Sequence, residues 1–239
     1  MGKPVRIAFY DLDGTLVSSN IVTRYAFLVR RLPSTPTACW KYLRLIASVP
    51  SYLALNYYSR RVFNETFFRE YRGISQEWLE QIASQLFEQV VSPSVYPGAG
   101  ALLAADRSEG FRLALVTGEL DILLEPVVRY FGFDHWISNR LIFQNGVATG
   151  EVMRPLVAEG EKVRAMAKAC HQMGAELSHC KAYSDSFSDT PMLEACGNPV
   201  AVNPDRRLNK TAVQRGWPVL DLRASRGSSA RRERGHDVS

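Results

Sequence analysis

The chain predicts an α/β fold: a parallel sheet flanked by helices, with a helical insertion after its first strand. Three observations carry this. From residue 99 onward, short apolar runs alternate with helix-patterned segments, the order that a parallel sheet with crossover helices requires. The runs at 5–10, 111–116 and 180–184 end on polar residues: Asp11 and Asp13, Thr117 and Gly118, and Asp185. Between the first run and the next such unit lies a long stretch, 17–97, with helical periodicity throughout.

The first run, Val5-Arg6-Ile7-Ala8-Phe9-Tyr10, is apolar and partly β-branched apart from Arg6, and reads as a buried strand. Asp11 and Asp13 leave it two residues apart, which turns both carboxylates to one side. Carboxylates that close repel, so a divalent cation or a shared proton is expected between them. Gly14 permits a sharp turn or a close approach, and Thr15 can cap the turn or helix after it. Alone, Asp-Leu-Asp-Gly also fits a simple strand-ending turn.

In the insertion, Ile21, Tyr25, Leu28, Val29 and Leu32 share a helical face that Pro33 and Pro36 break. Residues 38–68 are rich in aromatic and aliphatic side chains, including Trp40, Tyr42, Leu43, Ile46, Tyr52, Phe63 and Phe67, with Pro50 expected to interrupt them. Lys41, Arg44, Asn56, Arg60 and Arg61 deny this stretch the roughly 18 uninterrupted apolar residues of a membrane span. Another amphipathic helix is expected over 76–91. Beyond it the pattern predicts a helix at 99–108, a strand at 111–116 and a helix at 121–130. Asn145-Gly146 between runs at 139–143 and 147–152 signals a hairpin. A helix at 161–173, a strand at 180–184, a short helix at 192–196 and strands at 199–202 and 217–222 complete the unit. The division is therefore a core of 1–16 and 98–222, a helical cap of 17–97, and a disordered basic tail of 223–239.

Composition narrows the class. An apolar fraction of 46% suits a globular core, and much of the +5 net charge comes from five arginines in 223–239 set against Glu233 and Asp237. That distribution argues against a nucleic-acid-binding protein. Cys39, Cys170, Cys180 and Cys196 form no CxxC pair, match no zinc template with His171 and His179, and suit a reducing compartment. Met1-Gly2-Lys3-Pro4 runs straight into the acidic strand and does not meet the myristoylation pattern, so a cytoplasmic protein without a cleaved leader is expected.

In a parallel sheet the polar strand ends converge on one edge, where Lys162 at the start of a helix can join Asp11, Asp13, Thr117, Asp185 and Asp189. Four carboxylates, a hydroxyl beside a backbone N–H and one cation are the equipment of phosphoryl transfer. Asp11-Leu12-Asp13-Gly14-Thr15, Leu115-Val116-Thr117-Gly118, Lys162 and Ser184-Asp185-Ser186-Phe187-Ser188-Asp189 resemble, in order, the four motifs of haloacid dehalogenase (HAD) superfamily phosphatases. The resemblance is to the phosphoserine-phosphatase-like branch with a helical cap, and it covers about residues 5–222. It implies a Rossmann-like core of the HAD fold. It also implies Asp11 as the nucleophile that becomes an aspartyl-phosphate, and Asp13 as general acid and then base. It assigns Mg2+ to Asp11, the Asp13 carbonyl, Asp185 and Asp189, and phosphoryl binding to Thr117, Gly118 and Lys162. An acid at Asp13 points to a phosphate ester, whose leaving oxygen needs a proton.

The chain departs from phosphoserine phosphatases at Asn20, where those enzymes place a glutamate for the substrate ammonium. Arg60 and Arg61 are candidate substrate contacts. The aromatic-rich cap suggests either a packed core or an apolar surface for a lipid-like phosphate, with peripheral contact to an anionic membrane. A receiver-like phosphoacceptor and an inactive phosphate-ligand binder are the alternatives. Receivers are about half this length and lack the second acid and the cap. The natural ester and the oligomeric state stay open.

Overall fold

The computed structural model describes residues 4–223, so the expectation for the tail falls, beyond Arg223, outside the described residues. Strand β1 (Ile7–Tyr10) is wholly buried. Helices α1 (Ile21–Val29), α2 (Thr35–Tyr58), α3 (Arg60–Phe68) and α4 (Gln76–Leu86) form the insertion. The chain continues through α5 (Ala99–Ser108), β2 (Arg112–Leu120), α6 (Glu125–Phe131) and β3 (His135–Asn139). A hairpin comes next, β4 (Leu141–Gln144) and β5 (Val147–Val152), then α7 (Gly160–Met173) and β6 (Lys181–Ser184). Helix α8 (Thr190–Ala195), β7 (Asn198–Val202), α9 (Arg206–Arg215) and β8 (Val219–Leu220) close the unit.

Six strands pair in the order β3-β2-β1-β6-β7-β8, and every pairing is parallel. Strand order reverses at β1: the chain builds outward to β3 on one side and to β8 on the other. A crevice at the carboxyl ends is the consequence of such a reversal. Alternate residues of the central strands feed opposite layers, as the two-residue repeat demands. Ala8, Tyr10, Leu113 and Leu115 pack on Leu103 of α5 and Val127 of α6. Ile7, Phe9, Ala114 and Val116 pack on Met166 of α7, Leu193 of α8 and Leu208 of α9. The result is helix, sheet, helix.

The insertion does not close a core alone. Tyr25, Leu28, Phe63, Phe67, Tyr71 and Leu79 share a cluster with Leu120, Leu141, Ala148, Val152 and Leu156, so the hairpin and the end of β2 complete it. Asn145 (φ 50°) and Gly146 (φ 73°) adopt the left-handed pair that a two-residue hairpin turn needs.

Several local expectations change. Helix α2 runs through Pro50 rather than stopping there. Pro50 removes one backbone donor on the exposed side, while Leu45 and Tyr52 anchor the opposite face in the cap core. Pro36 starts α2 rather than ending a helix, its missing N–H falling among donors that lack helical partners anyway. The expected helix over 121–130 begins as a single 3-10 turn, Asp121–Leu123, before α6. Strand β3 has no clear sequence signal because His135-Trp136-Ile137-Ser138-Asn139 mixes polar and apolar residues, which an edge strand tolerates. Helix α9 is likewise silent in the sequence: its charged segment buries only Leu208 and Ala212.

Candidate active site

The carboxyl ends of β2, β1 and β6 lie side by side, and the polar residues sit there. Asp11 leaves β1 with its N–H bonded to Tyr183 O at 3.0 Å, so the first acid is tied to the neighbouring strand. Gly14 has φ 81°, and a Cβ there would lie 2.1 Å from Asp185 Oδ2. Only glycine satisfies both the backbone and that carboxylate. Thr15 Oγ1 donates to Asp185 Oδ1 at 3.3 Å. Asn203, itself at φ 47°, donates through Nδ2 to Gly14 O at 3.0 Å and fixes the loop from below.

Lys162 projects from the first turn of α7. Its Nζ donates to Asp11 Oδ1 at 2.7 Å and to Asp189 Oδ2 at 2.8 Å, with all three side chains buried. Ser184 Oγ also donates to Asp189 Oδ2, at 2.7 Å. Asp189 Oδ2 thus accepts from both Lys162 and Ser184. The two polar residues of β2 fall inside that strand, which extends to Leu120 rather than ending at Val116. Thr117 is buried, and Asn139 of β3 donates to Gly118 O at 2.8 Å while accepting from Val157 N at 2.7 Å. That asparagine pins the Gly118 segment to the loop before α7.

Charge is not balanced at this edge. Asp11 and Asp189 share Lys162, and Asp185, which lines the same cavity, has Arg60 acting on it from the insertion. Burial, opposed by Lys162 but aided by Asp189 and Asp13, pushes the Asp11 carboxyl up to about 6. Burial and the neighbouring Asp11 and Asp189 raise Asp185 well above the usual carboxylate range. Burial works against the Lys162 ammonium, yet Asp11 and Asp189 outweigh it and keep it charged above the ordinary lysine range. Among the described residues, no three His, Cys, Asp or Glu side chains form a ready-made metal cage. The donor set nonetheless fits a hard divalent cation. Asp11 and Asp185 supply carboxylate oxygens beside surplus negative charge, and Mg2+ takes few protein ligands and keeps several waters.

Asp13 faces another way. Its Oδ1 accepts from Arg24 Nη2 at 2.5 Å, and Arg24 Nη1 donates to Glu119 Oε2 at 2.6 Å. Arg24 lies on α1 and Glu119 on β2, next to Gly118.

A cavity of about 240 Å³ opens over these groups, lined by Asp11, Asp13, Thr117, Gly118, Lys162, Asp185 and Asp189 from the core and by Ile21, Arg60 and Asn64 from the helical insertion. Of the three candidate substrate residues, Arg60 lines this cavity. Asn20 instead caps α1, its Oδ1 accepting from Val22 N and Thr23 N at 3.0 and 3.1 Å. Arg61 lies on the surface, 3.3 Å from Glu65. Five buried residues at or around the site belong to none of the four motifs: Arg24, Asn64, Glu119, Asn139 and Asn203. Arg24 alone leaves a signal in the sequence, a cation within the helical span otherwise marked by Ile21, Tyr25 and Leu28.

Residues 8–194 match the model of the haloacid dehalogenase-like hydrolase family. The chain is 39% identical over 144 residues to a Mycobacterium tuberculosis protein named as a probable phosphatase, covering 60% of this chain and 50% of that one. It therefore spans about half the length of that relative. It is 26% identical over 227 residues to a phosphoserine phosphatase of the same organism, covering 92% of this chain and 71% of that one. A Bordetella pertussis protein of unknown function has a similar structure, with a TM-score of 0.80 at 25% identity over 92% of this chain and all of that one.

Proposed function

The chain belongs to the haloacid dehalogenase-like hydrolase family, and we propose that it is a Mg2+-dependent phosphomonoesterase acting through an aspartyl-phosphate on Asp11. One observation carries the reading: Asp11 and Asp189 converge on buried Lys162 at the sheet's carboxyl edge, beside Asp185 and beneath a polar cavity. Lys162 engages Asp11 Oδ1, which leaves the other carboxylate oxygen to attack phosphorus. The P–O ester bond breaks, and Asp13 gives its proton to the departing alkoxide. Asp13 then takes a proton from the water that cleaves the aspartyl-phosphate, and inorganic phosphate leaves. Lys162, Thr117 and the Gly118 N–H hold the phosphoryl oxygens as charge builds on them. Asp11, the Asp13 carbonyl and Asp185 would hold the Mg2+, with Asp189 assisting; when bound it supplies charge neutralisation at the phosphoryl oxygens.

The cavity volume suits a small ester or the head of a lipid-like one, with Arg60 from the insertion as the substrate contact. Asn20 is neither acidic nor aimed at the cavity, which counts against phosphoserine as the preferred ester. A cytoplasmic setting suits the cysteines, all free, with Cys170 and Cys180 Sγ 3.8 Å apart and unbridged.

The test is phosphate release from a panel of phosphoserine, phosphocholine, sugar phosphates, nucleotides and lysophosphatidic acid, with and without Mg2+. Release that requires both Mg2+ and Asp11 supports the reading. Folded, metal-bound protein without turnover of any ester would favour the phosphoacceptor or binding alternatives.

A second reading concerns the helical insertion. Helix α2 carries no acidic residue and exposes Trp40, Leu43, Ile46 and Val49, while a cavity beside Trp40 is lined by Arg44, Arg69, Arg72 and Arg154 together with Glu65, Glu70 and Glu151, with Arg44 paired to Glu70 and Arg154 to Glu65. Among the described residues, no helix is long and apolar enough to cross a membrane. An exposed apolar face on a helix without acidic residues, Arg69 and Arg72 nearby, fits peripheral contact with an anionic bilayer. Cosedimentation with phosphatidylglycerol vesicles but not phosphatidylcholine vesicles, lost in Trp40→Ser/Leu43→Ser, is the expected result. Equal sedimentation of wild type and variant would remove this reading.

A further inference from the structure

We propose that Arg24, braced by Glu119, is a positioning residue that aims the Asp13 carboxyl at the leaving oxygen. This rests on the phosphomonoesterase reading, which gives Asp13 its role. The geometry is specific. Glu119 is fixed at both oxygens: Oε1 accepts from Leu120 N at 2.9 Å and Oε2 from Arg24 Nη1 at 2.6 Å. The guanidinium is therefore anchored to the backbone of β2, the strand that also carries Thr117 and Gly118. Its other end holds Asp13 Oδ1 at 2.5 Å, and also lies 3.3 Å from Ser19 Oγ. One carboxyl oxygen of Asp13 is pinned, and the other is left for the substrate.

Stability alone does not account for this arrangement. Arg24 and Glu119 are each about 2% exposed at the side chain. Arg24 Nε and the nearby Tyr71 Oη are buried without a hydrogen-bond partner in the structure. A buried ion pair with such gaps contributes less to stability than apolar side chains of similar volume would. A planar fork that spans two carboxylates does what a lysine or an apolar residue cannot: it sets their relative orientation. Arg24 stands one helical turn after Asn20, whose capping box fixes the start of α1. The position of the insertion's first helix is thereby linked to the direction of Asp13.

Positioning of a general acid has a readout that mere folding lacks. An alkyl phosphate needs a proton on its leaving oxygen; 4-nitrophenyl phosphate does not. The value of kcat/KM reports steps through departure of the leaving group, before Asp13 acts as base. The full chain would be assayed as wild type, Arg24→Lys, Glu119→Gln and Arg24→Leu/Glu119→Leu, each with Mg2+ and with folding checked by circular dichroism. The double variant removes Arg24 and Glu119 together, so that Glu119 is not left as a lone buried charge, and keeps the test valid if a single variant fails to fold. Substrates are phosphoserine and 2-glycerophosphate against 4-nitrophenyl phosphate. For the double variant the alkyl esters are expected to lose about 10- to 100-fold in kcat/KM, a share of what general acid catalysis supplies. The nitrophenyl ester should lose no more than about threefold, and Arg24→Lys should fall between. Equal losses on both ester classes, or none on either, would overturn the proposal. Asp11→Asn is run alongside: wild-type turnover that survives it would refute the phosphatase reading itself, whatever the leaving-group pattern.

Discussion

Two buried cations in this molecule each grip a pair of carboxylates, and they do so in different places. Lys162 links Asp11 and Asp189, all carried by the core around β1, β6 and α7. Arg24 links Asp13 and Glu119, and so ties the helical insertion to the loop after β1 and to β2. The lysine is a point charge between two carboxylates, and Asp185 beside them has Arg60 acting on it. The arginine is a planar fork, with Glu119 on one arm and Asp13 on the other. The first arrangement concentrates charge at the proposed reaction centre. The second fixes direction across a boundary between two parts of the chain. Buried ion pairs that look alike on a contact map can thus do different work: one sets the electrostatics, the other the geometry.

The comparison breaks first at the nucleophile. Asp11→Asn should reduce phosphate release by at least about 10⁴-fold in a steady-state assay, as loss of a nucleophile does in covalent catalysis. Retention of a tenth of the activity would show that the lysine cluster is not the reaction centre. Stability separates the two clusters next. Lys162→Met strands Asp11 and Asp189 in a buried setting and should cost about 3–5 kcal/mol in denaturant unfolding. Arg24→Leu/Glu119→Leu, which leaves one carboxylate, Asp13, without its cation rather than two, should cost less in the same experiment.

Metal sharpens the contrast further. Saturating Mg2+, at about 100 times its dissociation constant, should stabilise the wild type by about 2.7 kcal/mol. Asp185→Asn should abolish most of that gain, while Glu119→Gln should leave it intact. The pH dependence comes from Asp11, whose folded value of about 6 lies above its ordinary 3.8. A carboxyl raised on folding contributes stability that is full below the unfolded value and is lost as pH rises through the folded one. The metal-free protein should therefore lose this contribution between about pH 4 and 6. Mg2+ binding requires the carboxylate, so its apparent affinity in calorimetry should weaken as pH falls below about 6. Smallest of all is Arg61→Ala. Its exposed pair with Glu65 should change stability by no more than about 0.5 kcal/mol and leave kcat/KM unaltered, whereas Arg60→Ala should raise KM.

Much of this molecule is legible in its sequence because its signals are local. The strands that carry the acids are short apolar runs, and the hairpin is announced by Asn145-Gly146. The motif residues around Asp11, Lys162 and Asp185 stand where backbone direction changes, while Thr117 lies inside β2. Local pattern misleads where an element draws its stability from elsewhere. Helix α2 passes through Pro50 because its inner face is held by cap packing. Strand β3 exists because β2 offers it an edge, and α9 needs only Leu208 and Ala212 to dock.

By itself, the sequence determined the α/β order, the acidic strand ends and the family to which the chain belongs, since each depends on residues close together along the chain. Tertiary structure alone decided that Asp189 meets Lys162, that Asn20 caps a helix, and that Arg24 reaches both Asp13 and Glu119. The physical reason is distance along the chain: Arg24 and Glu119 are 95 residues apart, and Asp11 and Lys162 are 151 apart. No periodicity or spacing encodes such a meeting. It arises only when the sheet has placed its strand ends together and the insertion has folded back over them.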